Sequence, residues 1–172
     1  MDPQRFYGKY RGTVVNNVDP MRQGRIQALV PDVSNVMLTS WAEPCVPVAG
    51  MQMGLFAVPP IGAGVWVEFE HGDPDHPIWT GCIVGSAADV PAAAQLIPPA
   101  ISGITLQTTL QNSLVVCDLP PSPLTGGIVL KSTTGAMIVV NDSGIYIQNG
   151  RGASIMLVGP AVTINQGALV IT

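Results

Sequence analysis

The residues that could do chemistry in this chain are crowded into one short stretch. Two imidazoles and two carboxylates fall within residues 71–76, and both groups are common metal ligands. Pro74 interrupts this stretch and Pro77 directly follows it, and proline next to Asp is typical of a rigid, solvent-exposed turn. We therefore expect a turn there, with no metal and no other cofactor. The candidate ligands are His71, Asp73, Asp75 and His76.

The other reactive side chains give little support for catalysis. The two histidines have no serine or cysteine motif beside them that would form a nucleophile–base pair. The three cysteines, Cys45, Cys82 and Cys117, are odd in number and lack the spacing of a zinc site. We interpret them as small buried thiols, and we expect a protein that is not an enzyme.

The composition favours short strands in an assembly. Hydrophobic residues make up 47% of the 172 residues and charged residues only 10%, whereas a soluble domain carries about 25% charge. A lone chain of this kind would expose large apolar patches, which usually mark interfaces. The 19 glycines and 16 prolines disfavour long helices. The sequence therefore predicts an all-β protein whose surface is partly covered by partner subunits.

Positive charge is concentrated near the start of the chain. Five of the seven basic residues lie there, which indicates a docking face or ordinary surface. A net charge of −4 and an aromatic content of 5% argue against nucleic-acid binding. Residues 1–10 are polar and lack the apolar core of a signal peptide, so we expect synthesis in the cytoplasm. The five basic residues are Arg5, Lys9, Arg11, Arg22 and Arg25.

Residues 1–89 form the first predicted domain. Five runs of alternating apolar residues are separated by residues that favour turns. Short strands of this number and spacing fit a small closed barrel, such as a five-stranded OB-fold. The predicted strands are residues 7–15, 24–30, 41–48, 65–70 and 78–84.

A linker and an internal repeat follow. Residues 90–103 are rich in Ala and Pro, which predicts an extended connector. Residues 104–172 repeat an alternating strand, a polar or glycine turn and another strand, so that one face of each strand points inward. Because one chain offers that face little to pack against, we expect three chains to share a core. The predicted core residues are Ile128, Leu130, Ile138, Val140, Ile145, Ile147, Ile155 and Leu157.

Several motifs of the first domain, in one order along the chain, resemble a known family. They are residues 7–12 (YGKYRG), Asp19-Pro20, residues 24–26 (GRI) and residues 68–81 (EFEHGDPDHPIWTG). Together they resemble the OB domain of phage baseplate assembly protein V and of VgrG-type spikes. In the longest motif the residues that carry the resemblance are Glu68, His71, Gly72, Asp73, Pro74, Asp75, Pro77, Trp79 and Gly81.

The resemblance implies a structural spike of a phage tail or a phage-like contractile injection system. In this family, three OB domains form a collar at the end of the tail tube. A triple-stranded β-helix, built by the same three chains, projects ahead and pierces the target cell envelope. The implied state is a homotrimer within a virion tail or injection particle, with baseplate hub and tail-tube proteins at the OB end. A PAAR-type tip protein is expected on Leu169 and Ile171 at the C-terminus.

Other interpretations stay open at the level of sequence. The protein could be an OB module that binds oligosaccharide or nucleic acid, or a receptor-binding fibre. The repeat could fold as a single-chain sandwich or solenoid. The linker is too short for a lysozyme domain, and no histidine follows His76 to form a metal-binding tip. The resemblance therefore predicts a minimal spike whose hub is a separate chain.

Overall fold

Strands dominate the structure. The computed structural model describes residues 4–34 and 37–171, and its helices are single turns, so the predicted all-β class is confirmed. The chain divides into two compact units between Gly85 and Ser86, close to the predicted end of the first domain at residue 89. Each unit has its own hydrophobic core.

The first unit is built on a five-stranded sheet in the order β2-β1-β6-β7-β3. Neighbouring strands are antiparallel except β3 and β7, which are parallel, and β4 and β5 form a separate hairpin. All five predicted strands overlap a strand of this sheet. The elements are β1 (Tyr10–Asn16), β2 (Gln27–Leu29), α1 (Pro31–Ser34), β3 (Glu43–Pro44), β4 (Ala49–Gly50), β5 (Met53–Gly54), β6 (Gly64–Phe69), a 3-10 turn (Glu70–Gly72) and β7 (Pro77–Ile83).

The sheet closes into a barrel because its two edges meet. Ile26 and Ala42, which directly precede β2 and β3, exchange backbone hydrogen bonds of 3.1 and 2.7 Å. Alternate residues of β1 and β6 point inward, as the period of a strand requires. The resulting core consists of Val14, Ile26, Ala28, Val30, Ala42, Val65, Val67, Phe69 and Trp79.

The second unit is an eight-stranded antiparallel meander in which each strand pairs with the next strand along the chain. Every segment of the predicted repeat is a strand. The backbone pairing therefore needs no second chain. The strands are β8 (Gly103–Gln107), β9 (Ser113–Cys117), β10 (Gly127–Lys131), β11 (Met137–Asn141), β12 (Gly144–Gln148), β13 (Ser154–Val158), β14 (Ala161–Ile164) and, after a 3-10 turn (Asn165–Gly167), β15 (Leu169–Ile171).

One face of the meander is covered by the segment predicted to be a linker. That segment is not extended throughout, because it contains α2 (Ala92–Gln95), and Ala93 and Ile97 pack on buried residues of the sheet. Alanine has the highest helix propensity, so the sequence AAAQ readily forms one turn. Burial of Ala93 and Ile97 against the sheet adds the stabilisation that such a short helix lacks alone. The buried face of the sheet consists of Val115, Cys117, Val129, Met137, Val139 and Tyr146.

Glycines set the turns of the meander. The six glycines that punctuate the repeat all have positive φ. At Gly127, where φ is 72°, a Cβ would overlap the carbonyl oxygen of Val140, so only glycine fits. The six are Gly127, Gly135, Gly144, Gly152, Gly159 and Gly167.

Asn141 fastens the long loop 118–126 to the sheet. Its Nδ2 donates hydrogen bonds to the carbonyl oxygens of Ser122 at 2.8 Å and Thr125 at 3.0 Å. Its Oδ1 accepts a hydrogen bond from the Ser143 backbone N–H at 2.9 Å. One side chain therefore holds both the loop and the turn between β11 and β12.

We predict that Asn141→Ala destabilises the second unit by about 1–3 kcal/mol, because carbonyl groups of the loop lose their donor. Denaturant unfolding followed by circular dichroism would measure this loss. The matched control is Asp142→Ala, which removes the exposed neighbouring side chain and should leave stability nearly unchanged. Equal effects of the two substitutions would contradict the role given to Asn141.

Candidate assembly surfaces

The segment that carries the family resemblance forms a turn at one end of the barrel. The 3-10 turn places His71 in the left-handed region, with φ of 51°, and leads into the buried Gly72. A Cβ on Gly72 would lie 3.0 Å from the Tyr7 ring. The Gly72 carbonyl accepts a hydrogen bond from the Phe6 backbone N–H at 2.8 Å. The turn thus anchors the residues that precede β1.

Asp73 organises the rest of this turn. Its Oδ1 accepts a hydrogen bond from the Asp75 N–H at 3.1 Å. Its Oδ2 lies 3.5 Å from Arg5 Nη1 and 3.8 Å from His76 Nδ1. Within residues 4–34 and 37–171, no group of three or more His, Cys, Asp or Glu side chains is placed to hold a metal ion. We call residues 70–76 together with Arg5 the charged end of the barrel.

Other residues of the same motif support the barrel itself. Trp79 is buried in the core, and its Nε1 donates a hydrogen bond to the Gly24 carbonyl at 3.1 Å. Glu68 Oε1 lies 2.8 Å from Lys9 Nζ on the outer side of the sheet. The structure therefore divides the motif between the charged end and the barrel wall. The motif also includes Pro74 in the turn and Pro77 and Gly81 in β7.

Four of the five early basic residues are engaged within the barrel. Arg5 pairs with Asp73 in the turn, and Lys9 pairs with Glu68 on the sheet. Arg25 Nη2 lies 2.6 Å from Asp19 Oδ1, and the Arg11 guanidinium lies 5.0 Å from the centre of the Trp66 ring. These contacts occupy most of the positive charge, so the early basic cluster does not form an open positive surface.

Asp19 is a nearly buried carboxylate with several partners. Its side chain is 3% exposed and accepts hydrogen bonds from the backbone N–H groups of Met21 at 3.0 Å and Gln23 at 2.7 Å, in addition to the Arg25 guanidinium. The Arg25 guanidinium is the main reason that the pKa of the Asp19 carboxyl lies well below its usual range, and the backbone donors add to this effect. The sequence pattern singled out Asp19-Pro20 without giving Asp19 a role. The spacing of Asp19 and Arg25, six positions apart across a turn, is the sequence signal that could have indicated this ion pair.

The prediction that all three cysteines are buried is wrong for two of them. Cys117 is buried, whereas Cys45 and Cys82 are exposed. Cys82 stands at an odd offset from the inward-facing Trp79 on β7, so strand alternation turns it outward. Cys45 directly follows the last residue of β3.

The second face of the meander is apolar, and no other described element of the second unit packs on it. Cross-strand pairing aligns its side chains in two rows that cross all eight strands. All eight predicted core residues lie in these rows, and each is 37–46% exposed. We call this surface the row face. One row is Ile104, Val116, Ile128, Val140, Ile145, Leu157, Val162 and Ile171; the other is Leu106, Leu114, Leu130, Ile138, Ile147, Ile155, Ile164 and Leu169.

The row face extends beyond the residues predicted for the core. The additional members lie in the alternating strands of residues 104–172, but they were not included in the predicted core. Leu169 and Ile171, which were assigned to a tip interface, belong to the same two rows and are 51% and 56% exposed. The structure therefore brings the predicted core and tip residues onto one surface. None of the helices in the described part of the chain is long and apolar enough to cross a membrane.

Comparison with known families identifies the class of protein. Residues 10–83 match the type VI secretion system/phage-baseplate injector OB domain, which confirms the OB-fold prediction for the barrel. Residues 103–170 match the phage baseplate V C-terminal trimerisation domain. A search of curated proteins finds no significant match. This chain belongs to the phage baseplate V family. It is a structural component of a phage tail or related injection particle, and its second unit is a trimerisation domain.

The low pKa of Asp19 predicts a specific pH dependence. The folded-state pKa lies below the unfolded value of about 4, so the ionised side chain stabilises the fold fully above that pH. This contribution is lost as the pH falls toward the folded pKa. We predict that Asp19→Asn is less stable than the wild type at neutral pH and that the difference shrinks below about pH 4. Denaturant unfolding over a pH series would measure it.

Asp32→Asn is a matched control for this experiment, because Asp32 is exposed at the start of α1. It should change stability little at any pH. A difference between Asp19→Asn and the wild type that stays constant from neutral pH down to about pH 2 would contradict the linkage to the Asp19 carboxyl.

Proposed function

We propose that three copies of this chain form the central spike of a contractile injection machine and that the spike pierces the target cell envelope. The observation that carries this proposal is the row face, an apolar surface that crosses every strand of the meander and that the described residues of the second unit leave uncovered. Membership of the phage baseplate V family supports the location of this trimer in an injection machine. Contraction of the surrounding sheath would supply the energy, so the spike itself needs stiffness and no catalytic group.

Three row faces turned toward one axis would cover one another. The result would be a three-sided β-prism in which each chain contributes its own sheet, with the eight predicted core residues in its interior. Each half-exposed Ile or Leu that becomes buried contributes on the order of 1 kcal/mol. Because the contact is repeated along the strands of three chains, the summed gain is of the same order as the cost of association, about 4–15 kcal/mol for each chain that joins.

The in-chain pairing supports a stiff needle. Each strand from β9 to β14 has a hydrogen-bonded neighbour on both sides. Bending or local opening would therefore break backbone hydrogen bonds and separate packed side chains at the same time. A shared core would add side-chain packing on the face that the chain leaves open.

The barrel supports a direction for the spike. Ile83 at the end of β7 pairs with Gly64 at the start of β6, so the chain leaves the barrel at the end opposite the charged end. Glu70 and Asp75 are exposed at the charged end. We propose that this end contacts the baseplate hub and the tail-tube proteins.

The other proposed partner is a PAAR-type tip protein. β15 is the last strand of the meander, so one of its edges has no strand neighbour in the described chain. A free strand edge is a ready template for pairing with another chain. Three such edges, together with Leu169 and Ile171, would form the platform that holds the tip toward the target envelope.

We predict that Ile138→Asp prevents trimer assembly. Three carboxylates would meet inside an apolar core, where each is costly to desolvate and repels the others. Native mass spectrometry should show at least about a tenfold loss of trimer, since each tenfold corresponds to about 1.4 kcal/mol. The 17.9 kDa chain should appear instead.

The matched control is Lys131→Asp, which places the same side chain on the opposite face of β10 at an exposed position. This variant should remain a trimer. If both variants assembled equally, or if the wild type were a stable folded monomer, the shared core would be rejected. A monomer would instead favour a single-chain binding protein with an OB module.

We predict that the two ends of the spike lose their partners independently. Glu70→Lys with Asp75→Lys should abolish capture of the hub but not of a PAAR-type protein, because only the charged end changes sign. Removal of residues 169–172 should abolish capture of the PAAR-type protein but not of the hub. Each variant is the control for the other, and co-purification with each partner measures both.

Two results would contradict this arrangement. If the truncated spike kept its tip protein at full occupancy, the tip site would lie elsewhere on the chain. If the reversed-charge variant still held the hub while the truncation released it, the proposed direction would be backwards. Strong binding of the isolated protein to whole cells, without any tail protein, would favour a receptor-binding fibre.

A further inference from the structure

The barrel carries an exposed apolar surface at the end opposite the charged end. Six large apolar side chains lie there in the turn after β1, in the β4–β5 hairpin and in the segment that leads to β6. Met51 at the hairpin tip is 98% exposed, and each of the others is at least 63% exposed. We call this surface the apolar end. Its side chains are Val18, Met21, Met51, Met53, Phe56 and Ile61.

The segments that form the apolar end are held together by contacts within the barrel. The Leu55 N–H donates a hydrogen bond to the Val48 carbonyl at 3.2 Å, which closes the hairpin. The Phe56 ring rests on Gly24, where a Cβ would lie 3.1 Å from it. Asn17 Nδ2 donates a hydrogen bond to the carbonyl oxygen of Pro59 at 3.0 Å. The surface is therefore a built feature of the fold rather than a set of scattered side chains.

The chemistry of this surface restricts its partner. Residues 44–67 contain no charged residue. Asp19 and Arg25 nearby satisfy one another, which leaves Arg22 as the charged side chain there without an ion pair among the described residues. Methionine side chains adapt to irregular apolar surfaces. The apolar end therefore suits a partner surface that is itself uncharged, and it does not suit an acidic or basic one.

Chain connectivity brings copies of the barrel together at this end. The chain leaves the barrel beside the apolar end, because Ile83 pairs with Gly64 there. Residues 86–102 belong to the second compact unit, where Ala93 and Ile97 pack on the sheet, so only a short segment joins each barrel to the unit whose residues 103–170 match the trimerisation domain. A short tether keeps the local concentration of the neighbouring barrels high.

We propose that the apolar end of each barrel packs against the barrel of a second copy of this chain. In a three-fold assembly such a contact is head-to-tail, so the hairpin of one protomer meets a different surface of the next, and the ring closes after three contacts. The contact rests on the trimer and not on the hub or tip partners. It gives the barrels an apolar interface of their own, in addition to the row faces.

Methionine oxidation tests whether the apolar end is covered in the trimer. Peroxide transfers one oxygen to an accessible thioether and leaves water, which gives the sulfoxide. Met37 is 70% exposed and follows α1, outside the six side chains of the apolar end, so it serves as an internal control. In the intact trimer, Met51 and Met53 should be oxidised at least about five times more slowly than Met37. In denaturant the rates should become equal. Oxidation of Met51 as fast as Met37 in the trimer would overturn the proposal.

Photo-cross-linking identifies what covers the hairpin. A benzophenone amino acid at position 51 of the full chain should give a covalent pair of chains in the purified trimer, with the cross-link on residues 4–85 of the second chain. The same group at position 75, in the charged end, should give no such pair. The yield should not change on dilution. Cross-links that reach only residues 86–171, or that appear only after the hub protein is added, would overturn the assignment to a neighbouring barrel.

Discussion

The one-sidedness of the second sheet is the constraint on which the rest of this protein depends. Consecutive strands satisfy one another's backbone hydrogen bonds, so the chain forms its β-structure without help. A short helix and a loop from the same chain then cover one face only. The other face keeps two unbroken rows of Ile, Val and Leu. Apart from the outer edges of β8 and β15, backbone pairing in the meander is thus completed within a protomer, and the trimerisation domain leaves side-chain burial to be completed by other copies.

The barrel depends on a different constraint, because it has few charged residues and several of them form ion pairs that hold its turns and strands. The ion pair of Arg25 and Asp19 holds the turn after β1. The ion pair of Glu68 and Lys9 joins β6 to the residue that precedes β1, and Asp73 bonds to its neighbours in the turn at the charged end. Because these charges are paired within the barrel, one end is left polar and the other is mainly apolar, with Arg22 as its charged side chain without an ion pair among the described residues. The two ends of one small barrel can therefore meet two kinds of partner without competition between them.

Strand alternation was sufficient to predict the strands of the barrel sheet and of the meander, since a period of two is a local property of the chain. It missed the β4–β5 hairpin, whose strands have only two residues each. It could not show which chain supplies each strand with its neighbour, because register is decided by turns such as the one fixed by Asn141. The Ala- and Pro-rich composition predicted a linker around α2, because the burial of Ala93 and Ile97 that holds this helix depends on the folded sheet. The sequence places Asp19 and Arg25 close together along the chain, but it does not show that their side chains are buried, and burial is what makes the ion pair important.

The consecutive pairing of the strands also determines how the length of such a protein can change in evolution. One residue inserted within a strand would move every later apolar side chain of that strand to the wrong face. Duplication of two strands with their turns keeps both rows aligned and lengthens the sheet by about 10 Å, at the usual spacing between strands. The length of the sheet can therefore change in steps of one hairpin by gene duplication alone, and no new core has to evolve.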